Sequence, residues 1–270
     1  MIHPSLRAAS VSLTALLLCA TSARASAAAP APSAAAAPTP AAPAAQAAPL
    51  SLEEIVSRAS AQFERKPKKL ACTVTIDAAQ LDSDGKPKET QGSELTETWT
   101  DGVEEEGAAT RRSRDGKPFT AEEFRQANEQ DAEKRKEMKE HEAKGEGGSV
   151  DAPLAKDQLP RHIFSLVRRA QENGRDVYVL SVAPRSKTPD ERAVTREGTL
   201  TVDAQSFLLL HAETHAAPLP KHVDKMEFTE EFQLTAQGES APKSLVLSVS
   251  GGILFITRAF RVETRWQDCK

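Results

Sequence analysis

The sequence predicts an α+β protein that is mostly β, with a curved antiparallel sheet or incomplete barrel, an N-terminal helix and a second, highly charged helix. Three patterns lead to this fold class. Apolar residues recur at helical spacing just after residue 50, a long charged segment follows near residue 120, and most of the remaining chain alternates apolar and polar residues between turn signals. Strands that follow a few helices are typical of a sheet with helices segregated to one side.

The N-terminus predicts export. An apolar run over residues 8–20 follows Arg7 and precedes the small-x-small sequence that ends at Ala25. This arrangement is typical of a cleaved signal peptide. The run is also shorter than the roughly 20 apolar residues of a membrane-spanning helix. We therefore expect a signal peptide over residues 1–25, cleaved near Ala25.

Cys19 supports an alternative, because bacterial lipoproteins are cleaved directly before a cysteine that ends the apolar core. The residue before that cysteine should be small, and here it is Leu18. Cleavage near Ala25 is therefore preferred to lipid anchoring. It predicts a periplasmic or secreted protein with no transmembrane span in the mature chain.

Residues 26–49 are almost wholly alanine and proline, which predicts an extended linker that cannot form a core. One domain is then expected over residues 50–270. Loss of two arginines with the signal peptide would change the formal net charge from −4 to −6. An acidic chain with one tyrosine and two tryptophans does not have the composition of a nucleic-acid-binding protein.

Two cysteines, Cys72 and Cys269, remain after the signal peptide is removed. In an oxidising compartment such a pair is expected to form a disulfide. The alternative is two unpaired thiols, one buried and one at the terminus, because sequence alone gives no geometry.

The N-terminal helix is predicted by a capping box of Ser51 and Glu54, which precedes apolar residues on one face and ends at Lys66-Pro67. A surface of this kind has to be buried against another element. The helix is therefore expected to pack on the sheet.

A second capping box, Thr120 with Glu123, begins the charged helix, which is predicted over residues 121–144. Opposite charges four residues apart, such as Asp131 and Arg135, are expected to pair along it. It has almost no apolar stripe. The pattern therefore predicts a solvated arm or a lid.

The tetrapeptide DGKP occurs twice, and its first copy places Asp82 and Asp84 at the spacing of a calcium loop. The first and last positions of that loop would be Gln80 and Gln91, where carboxylates are needed. Both copies are therefore interpreted as turns.

Asn173-Gly174 predicts a hairpin, and Ser250-Gly251-Gly252 predicts a kink between two strands.

No catalytic residue, metal site or cofactor is predicted. The chain contains neither G-x-S-x-G nor H-E-x-x-H. His211 and His215 fall in a predicted strand, where residues four apart are separated by about 13 Å, too far for one metal ion.

The order of these segments resembles a known family. LDSDGKPKE lies in a hairpin, RDGKPFTAEE opens the charged helix, and NGRDVYVLSVAPR, GTLTVDAQSFLLLHAE and a final strand ending in RVETRW follow. The chain resembles exported bacterial proteins of the LolA-like group, related to outer-membrane lipoprotein-sorting proteins. The resemblance covers most of residues 50–270.

That resemblance implies an incomplete, strongly curved antiparallel barrel whose mouth is closed by helices. It also implies a non-catalytic protein, without cofactor, whose apolar concave face binds a lipid or the acyl chain of a lipoprotein when the helical cover moves aside. The residues expected to line that face are Leu200, Val202, Met226, Phe228, Phe232, Leu234, Leu245, Leu247 and Leu254.

Two alternatives stay open. The same apolar residues could be ordinary packing of the sheet against the N-terminal helix. The protein would then be a structural or protein-interaction domain of the cell envelope, with an envelope protein as its partner and no lipid ligand.

Overall fold

The computed structural model describes residues 50–143, 149–150, 152–186, 193–235, 237–253 and 256–270. The predicted signal peptide, the predicted linker and Cys19 lie outside the described residues. Within them, eleven strands form one antiparallel sheet that is curved and unclosed, and two α-helices accompany it. This confirms the predicted fold class.

Helix α1, Leu52–Phe63, has the predicted cap, because the Ser51 hydroxyl oxygen accepts a hydrogen bond from the Glu54 backbone N–H at 3.2 Å. Its buried face includes Ile55, Val56 and Ala59. Helical spacing of these apolar residues is the reason the helix lies on the sheet.

The strands follow in chain order. They are β1 Lys69–Leu81, β2 Pro87–Thr100, β3 Val103–Arg114, β4 Lys117–Pro118, β5 Ser149–Val150, β6 His162–Glu172, β7 Arg175–Pro184, β8 Ala193–Val194, β9 Arg196–Asp203, β10 Leu209–Ala216, β11 Val223–Leu234, β12 Ser240–Ile253 and β13 Ile256–Gln267. Helix α2, Ala121–Ala143, lies between β4 and β5, and a 3₁₀ helix, Leu159–Arg161, precedes β6.

The main sheet has the order β4-β3-β2-β1-β13-β12-β11-β10-β9-β7-β6, and β5 pairs separately with β8. It therefore consists of two meanders. One is formed by β1 to β4 and the other by β6, β7 and β9 to β13, and pairing of β1 with β13 joins them. Short connections make each meander, whereas the β1–β13 pairing joins residues nearly 200 positions apart in sequence, such as Thr73 and Gln267.

Both DGKP copies are turns. The Asp82 carboxylate accepts hydrogen bonds from the backbone N–H groups of Asp84 and Lys86, at 2.9 and 2.8 Å, and so closes the β1–β2 hairpin. In the second copy the Asp115 carboxylate accepts from the Thr90 backbone N–H at 2.9 Å. Asp115 has a φ of 49°, in the left-handed region that aspartate tolerates.

Asp203 organises the turn between β9 and β10. Its carboxylate accepts hydrogen bonds from the backbone N–H groups of Gln205 and Ser206 and from the Ser206 hydroxyl. Burial alone would raise the pKa of Asp203, but these hydrogen bonds outweigh it and hold the pKa below its usual value.

The register places one residue from each of nine strands in a single row across one face of the sheet. Directly opposed residues in antiparallel strands point to the same side. The row is Leu180, Leu200, Ala212, Glu230, Leu245, Thr264, Ile76, Ser93 and Arg112. We call the side that carries this row the inner face and the opposite side the outer face.

The outer face is largely charged. Ion pairs cross its strands between Lys243 and Glu231 at 2.8 Å and between Arg265 and Asp77 at 3.2 Å. The cores of the protein therefore belong to the inner face. No helix in the described part of the chain is long and apolar enough to cross a bilayer.

Candidate ligand-binding face

Helix α1 covers one end of the inner face. Its Ile55 and Ala59 are fully buried in one cluster with Leu180, Leu200 and Ala212, which are the first three members of the row. This end of the face is a closed hydrophobic core.

Helix α2 is attached near the other end of the same face, through polar contacts. The Arg112 guanidinium, whose side chain is only 5% exposed, donates to the side-chain oxygens of Asn128 at 2.9 Å and Asp131 at 2.5 Å. Arg135 donates to Glu106 of β3 at 3.0 Å. The prediction that Asp131 and Arg135 pair along the helix is wrong, because both charges are engaged by β3.

Between the helices most residues of the inner face are apolar and half-buried, with Glu230 and Thr264 as polar members. Its strands there are β11, β12, β13 and β1, from the middle of the sheet. The half-buried apolar residues, which we call the central apolar face, are Ile76, Ala78, Met226, Leu245, Leu247, Val249, Phe260 and Val262. A contiguous apolar surface left open in this way is typical of a binding site.

The residues predicted from sequence divide into three groups. Leu200 and Val202 are fully buried under α1, and Phe232 packs against the same cluster, with its ring 6.2 Å from that of Phe63. These residues lie at the end of the inner face that α1 covers, where Leu200 and Phe232 also line a small recess.

Met226, Leu245 and Leu247 belong to the central apolar face, and Phe228, which is 6% exposed, lies at its border with the α1 cluster. Leu234 is 41% exposed at the end of β11. Leu254 lies outside the described residues.

Sequence reasoning missed the contributions of β1 and β13 to this face. Val262 lies directly opposite Leu247 and also opposite Ala78, so it connects the two meanders. The period-two pattern of both strands was visible in the sequence. Their adjacency was not, because it depends on the pairing of segments far apart in the chain.

A small recess lies at the α1 cluster, and its lining includes Glu230, which is directly opposite Leu245 of the central apolar face. Its lining is mostly apolar, and it includes the charged pair Arg196 and Glu230, whose Nη1 and Oε2 atoms are 2.8 Å apart.

The ionisable groups of the outer face show how the sheet distributes charge. Burial raises the pKa of Asp77, although Arg265 beside it acts in the opposite direction. The Lys243 ammonium group lowers the pKa of Glu231.

Among the described residues, no group of three or more histidine, cysteine, aspartate and glutamate side chains lies close enough to hold a metal ion.

A disulfide joins Cys72 of β1 to Cys269, just beyond β13, with Cα atoms 4.1 Å apart. Cys72 belongs to a second buried cluster on the inner face, together with Leu70, Val74, Leu95 and Trp99. The cross-link thus lies where the first and last strands meet, beside the central apolar face.

Comparison of the sequence with family models and with curated proteins finds no match. Several solved structures match over most of this chain. A LolA superfamily protein from Nitrosomonas europaea matches with a TM-score of 0.35 and 11% identity, over 82% of this chain and 94% of that one.

Two further solved structures match over similar lengths. A putative outer membrane lipoprotein-sorting protein domain from Vibrio parahaemolyticus has a TM-score of 0.34 and 10% identity, covering 80% of this chain and 91% of that one. The MucA/MucB complex from Pseudomonas aeruginosa gives a TM-score of 0.21 and 12% identity, covering 79% and 93%.

Proposed function

We propose that this chain is a non-catalytic protein of the periplasm or the secreted fraction that binds a hydrophobic ligand, a lipid or the acyl chain of a lipoprotein. One observation supports this most directly. A single face of the sheet carries both helices near its ends and leaves a half-buried apolar surface between them, with Leu247 and Val262 paired at its centre.

The energetics favour an acyl chain as the occupant. Each methylene group removed from water contributes about 0.8 kcal/mol, so burying roughly ten of them yields about 8 kcal/mol. That corresponds to a micromolar dissociation constant before the costs of ordering the chain are subtracted. No catalytic group is required for this function.

Helix α2 has the properties of a movable cover. Its contacts with the sheet are hydrogen bonds and ion pairs. The pair of Arg135 with Glu106 is partly exposed, so water can replace it, whereas the buried Arg112 holds its end of the helix more firmly. Little apolar surface is exposed by movement of this helix. Movement of α2 away from β3 would widen the approach to the central apolar face, which lies beside it.

A second candidate function, binding of an envelope protein, is favoured by strand β6. This strand forms one edge of the main sheet and exposes Ile163 at 48% and Val167 at 53%. An edge strand with exposed apolar residues can pair with an extended segment of another protein.

The ligand-binding proposal is tested with two matched variants of β12. Leu247 is on the central apolar face and Val246, its neighbour, is half-buried on the outer face. Binding of N-phenyl-1-naphthylamine, an apolar fluorescent probe, is measured by titration. Leu247→Asn is expected to weaken binding about five- to tenfold, because about 1–1.4 kcal/mol of apolar contact is lost. Val246→Asn should leave binding unchanged.

Organic extraction of the purified mature protein, followed by mass spectrometry, gives an independent measurement. Lipid should be recovered from the wild type and reduced in Leu247→Asn. A protein that yields no lipid and binds no apolar probe would refute the proposal. Co-purification of an envelope protein that is lost on Val167→Lys would then support the second candidate.

A further inference from the structure

Two polar atoms of the inner face are buried and make no hydrogen bond within the described part of the chain. They are the Nε of Arg196 and the Oγ1 of Thr214, and each of these residues is only 4% exposed. Buried polar atoms are nearly always hydrogen-bonded, since leaving them without a partner costs free energy. We therefore expect both atoms to form hydrogen bonds with a bound molecule.

Both residues are neighbours of Phe228. The Arg196 guanidinium lies over the Phe228 ring, 4.9 Å from its centroid, and Thr214 is directly opposite Phe228 in the β10–β11 pairing. On its other side Phe228 is opposite Leu247. The two unpartnered atoms are thus located at one end of the central apolar face, and Arg196 also lines the recess beside it.

The charge of this site selects against an anionic ligand. Arg196 is already paired with Glu230, and the side chains of the two are 5% and 20% exposed. The pair is neutral, so a second carboxylate entering the recess would meet the charge of Glu230 at short range in a poorly solvated place. An uncharged oxygen acceptor meets no such repulsion.

The donors that remain suit a carbonyl oxygen. A guanidinium Nε–H can only donate, and the threonine hydroxyl can rotate to donate. We propose that Arg196 and Thr214 bind the carbonyl group of an ester- or amide-linked acyl chain, whose hydrocarbon part lies on the central apolar face. This inference rests on the proposed function and names the polar end of the ligand.

The test compares ligands of equal chain length by their displacement of N-phenyl-1-naphthylamine from the intact mature protein at pH 8. The ligands are 1-monododecanoylglycerol as the ester, N-dodecanoylethanolamine as the amide, and dodecanoate as the anion. The two neutral ligands are expected to displace the probe at several-fold lower concentration than dodecanoate. Tighter binding of the ester indicates a glycerolipid, and tighter binding of the amide indicates an N-acylated molecule.

Thr214→Val removes the hydroxyl at nearly constant volume. It should weaken binding of the neutral ligands about three- to tenfold, the usual effect of one lost hydrogen bond, while leaving affinity for the carbonyl-free probe unchanged. Thr214→Ser should restore the affinity of the wild type. Thr229→Val makes the same chemical change on the outer face, beside Phe228, and should have no effect.

Three outcomes would overturn the inference. Unchanged ester and amide affinity in Thr214→Val would mean that a water molecule, not the ligand, serves the two atoms. Equal displacement by dodecanoate and the neutral ligands would also contradict it, although the proposed function would stand. Failure of the wild type to bind the probe or any of the ligands would overturn both.

Discussion

Reduction of the disulfide between Cys72 and Cys269 should destabilise the protein strongly. The two residues are 197 positions apart, and in the chain-entropy model a cross-link over that distance contributes about 5 kcal/mol by restricting the unfolded chain. For a domain of about 150–250 residues, each kcal/mol shifts the thermal midpoint by about 2–4 °C. The midpoint should therefore fall by about 10–20 °C.

The assay is thermal unfolding followed by circular dichroism, with and without a phosphine reductant. Reduction keeps both sulfur atoms in place, so it measures the cross-link alone. Cys72→Ala combined with Cys269→Ala should unfold at or below the midpoint of the reduced wild type, because it also removes a sulfur atom that is buried in the core. The double variant should not respond to reductant.

A shift of less than about 3 °C on reduction would contradict the assignment of this stabilisation to the unfolded chain. Alkylation of either cysteine without reductant, detected by mass spectrometry, would show that the bond does not form in the purified protein. Mass mapping of a non-reduced digest distinguishes these two results.

Three further predictions concern other parts of the fold. Arg112→Met should detach α2 from β3 and accelerate trypsin cleavage within that helix severalfold, because the guanidinium provides its buried anchor. Asp203→Asn should lower the free energy of unfolding by about 1 kcal/mol at pH 7, since it removes charge from three hydrogen bonds. Gly198→Ala should cost about 3 kcal/mol in denaturant unfolding, because its Cβ would lie 2.1 Å from the Glu213 carbonyl oxygen.

Each of these has a matched control. Arg111→Met also removes one trypsin site, but its side chain is 80% exposed, and equal acceleration in both variants would refute the anchoring role. The depressed pKa of Asp203 gives stability that is complete above pH 3.8 and is lost as pH falls through the folded-state pKa. The difference in free energy of unfolding between the wild type and Asp203→Asn should therefore disappear at a pH below the folded-state pKa. Gly85, whose Cβ would contact nothing, should tolerate alanine better than Gly198.

Features encoded within a few residues were predictable from the sequence. The second capping box is complete: the Thr120 backbone N–H donates to the Glu123 carboxylate at 2.9 Å, and the Glu123 N–H donates to the Thr120 hydroxyl at 3.3 Å. Of the first box, the structure shows the N-cap hydrogen bond from the Glu54 N–H to the Ser51 hydroxyl, while the Glu54 carboxylate accepts from Arg58. The hairpin at Asn173 is also confirmed, since that residue has a φ of 49°. In each case the signal and the structure it specifies lie within one turn of chain.

Features that depend on distant partners were not predictable. The sequence predicts a kink between two strands at Gly251, but β12 continues through it, paired with Val223 on one side and Arg258 on the other, with a register shift against β11 at this point. The glycine is needed because a Cβ would lie 2.2 Å from the His222 carbonyl oxygen. Only the neighbouring strand reveals that close approach.

The pairing of β1 with β13 has a consequence for the order in which the molecule can form. Synthesis produces the first strand of the sheet long before the last, so one edge of β1 has no strand to pair with until β13 has been made. Folding of this kind is dominated by long-range contacts and is correspondingly slow. The central apolar face includes residues of both β1 and β13, and it is therefore complete only after β13 has paired with β1.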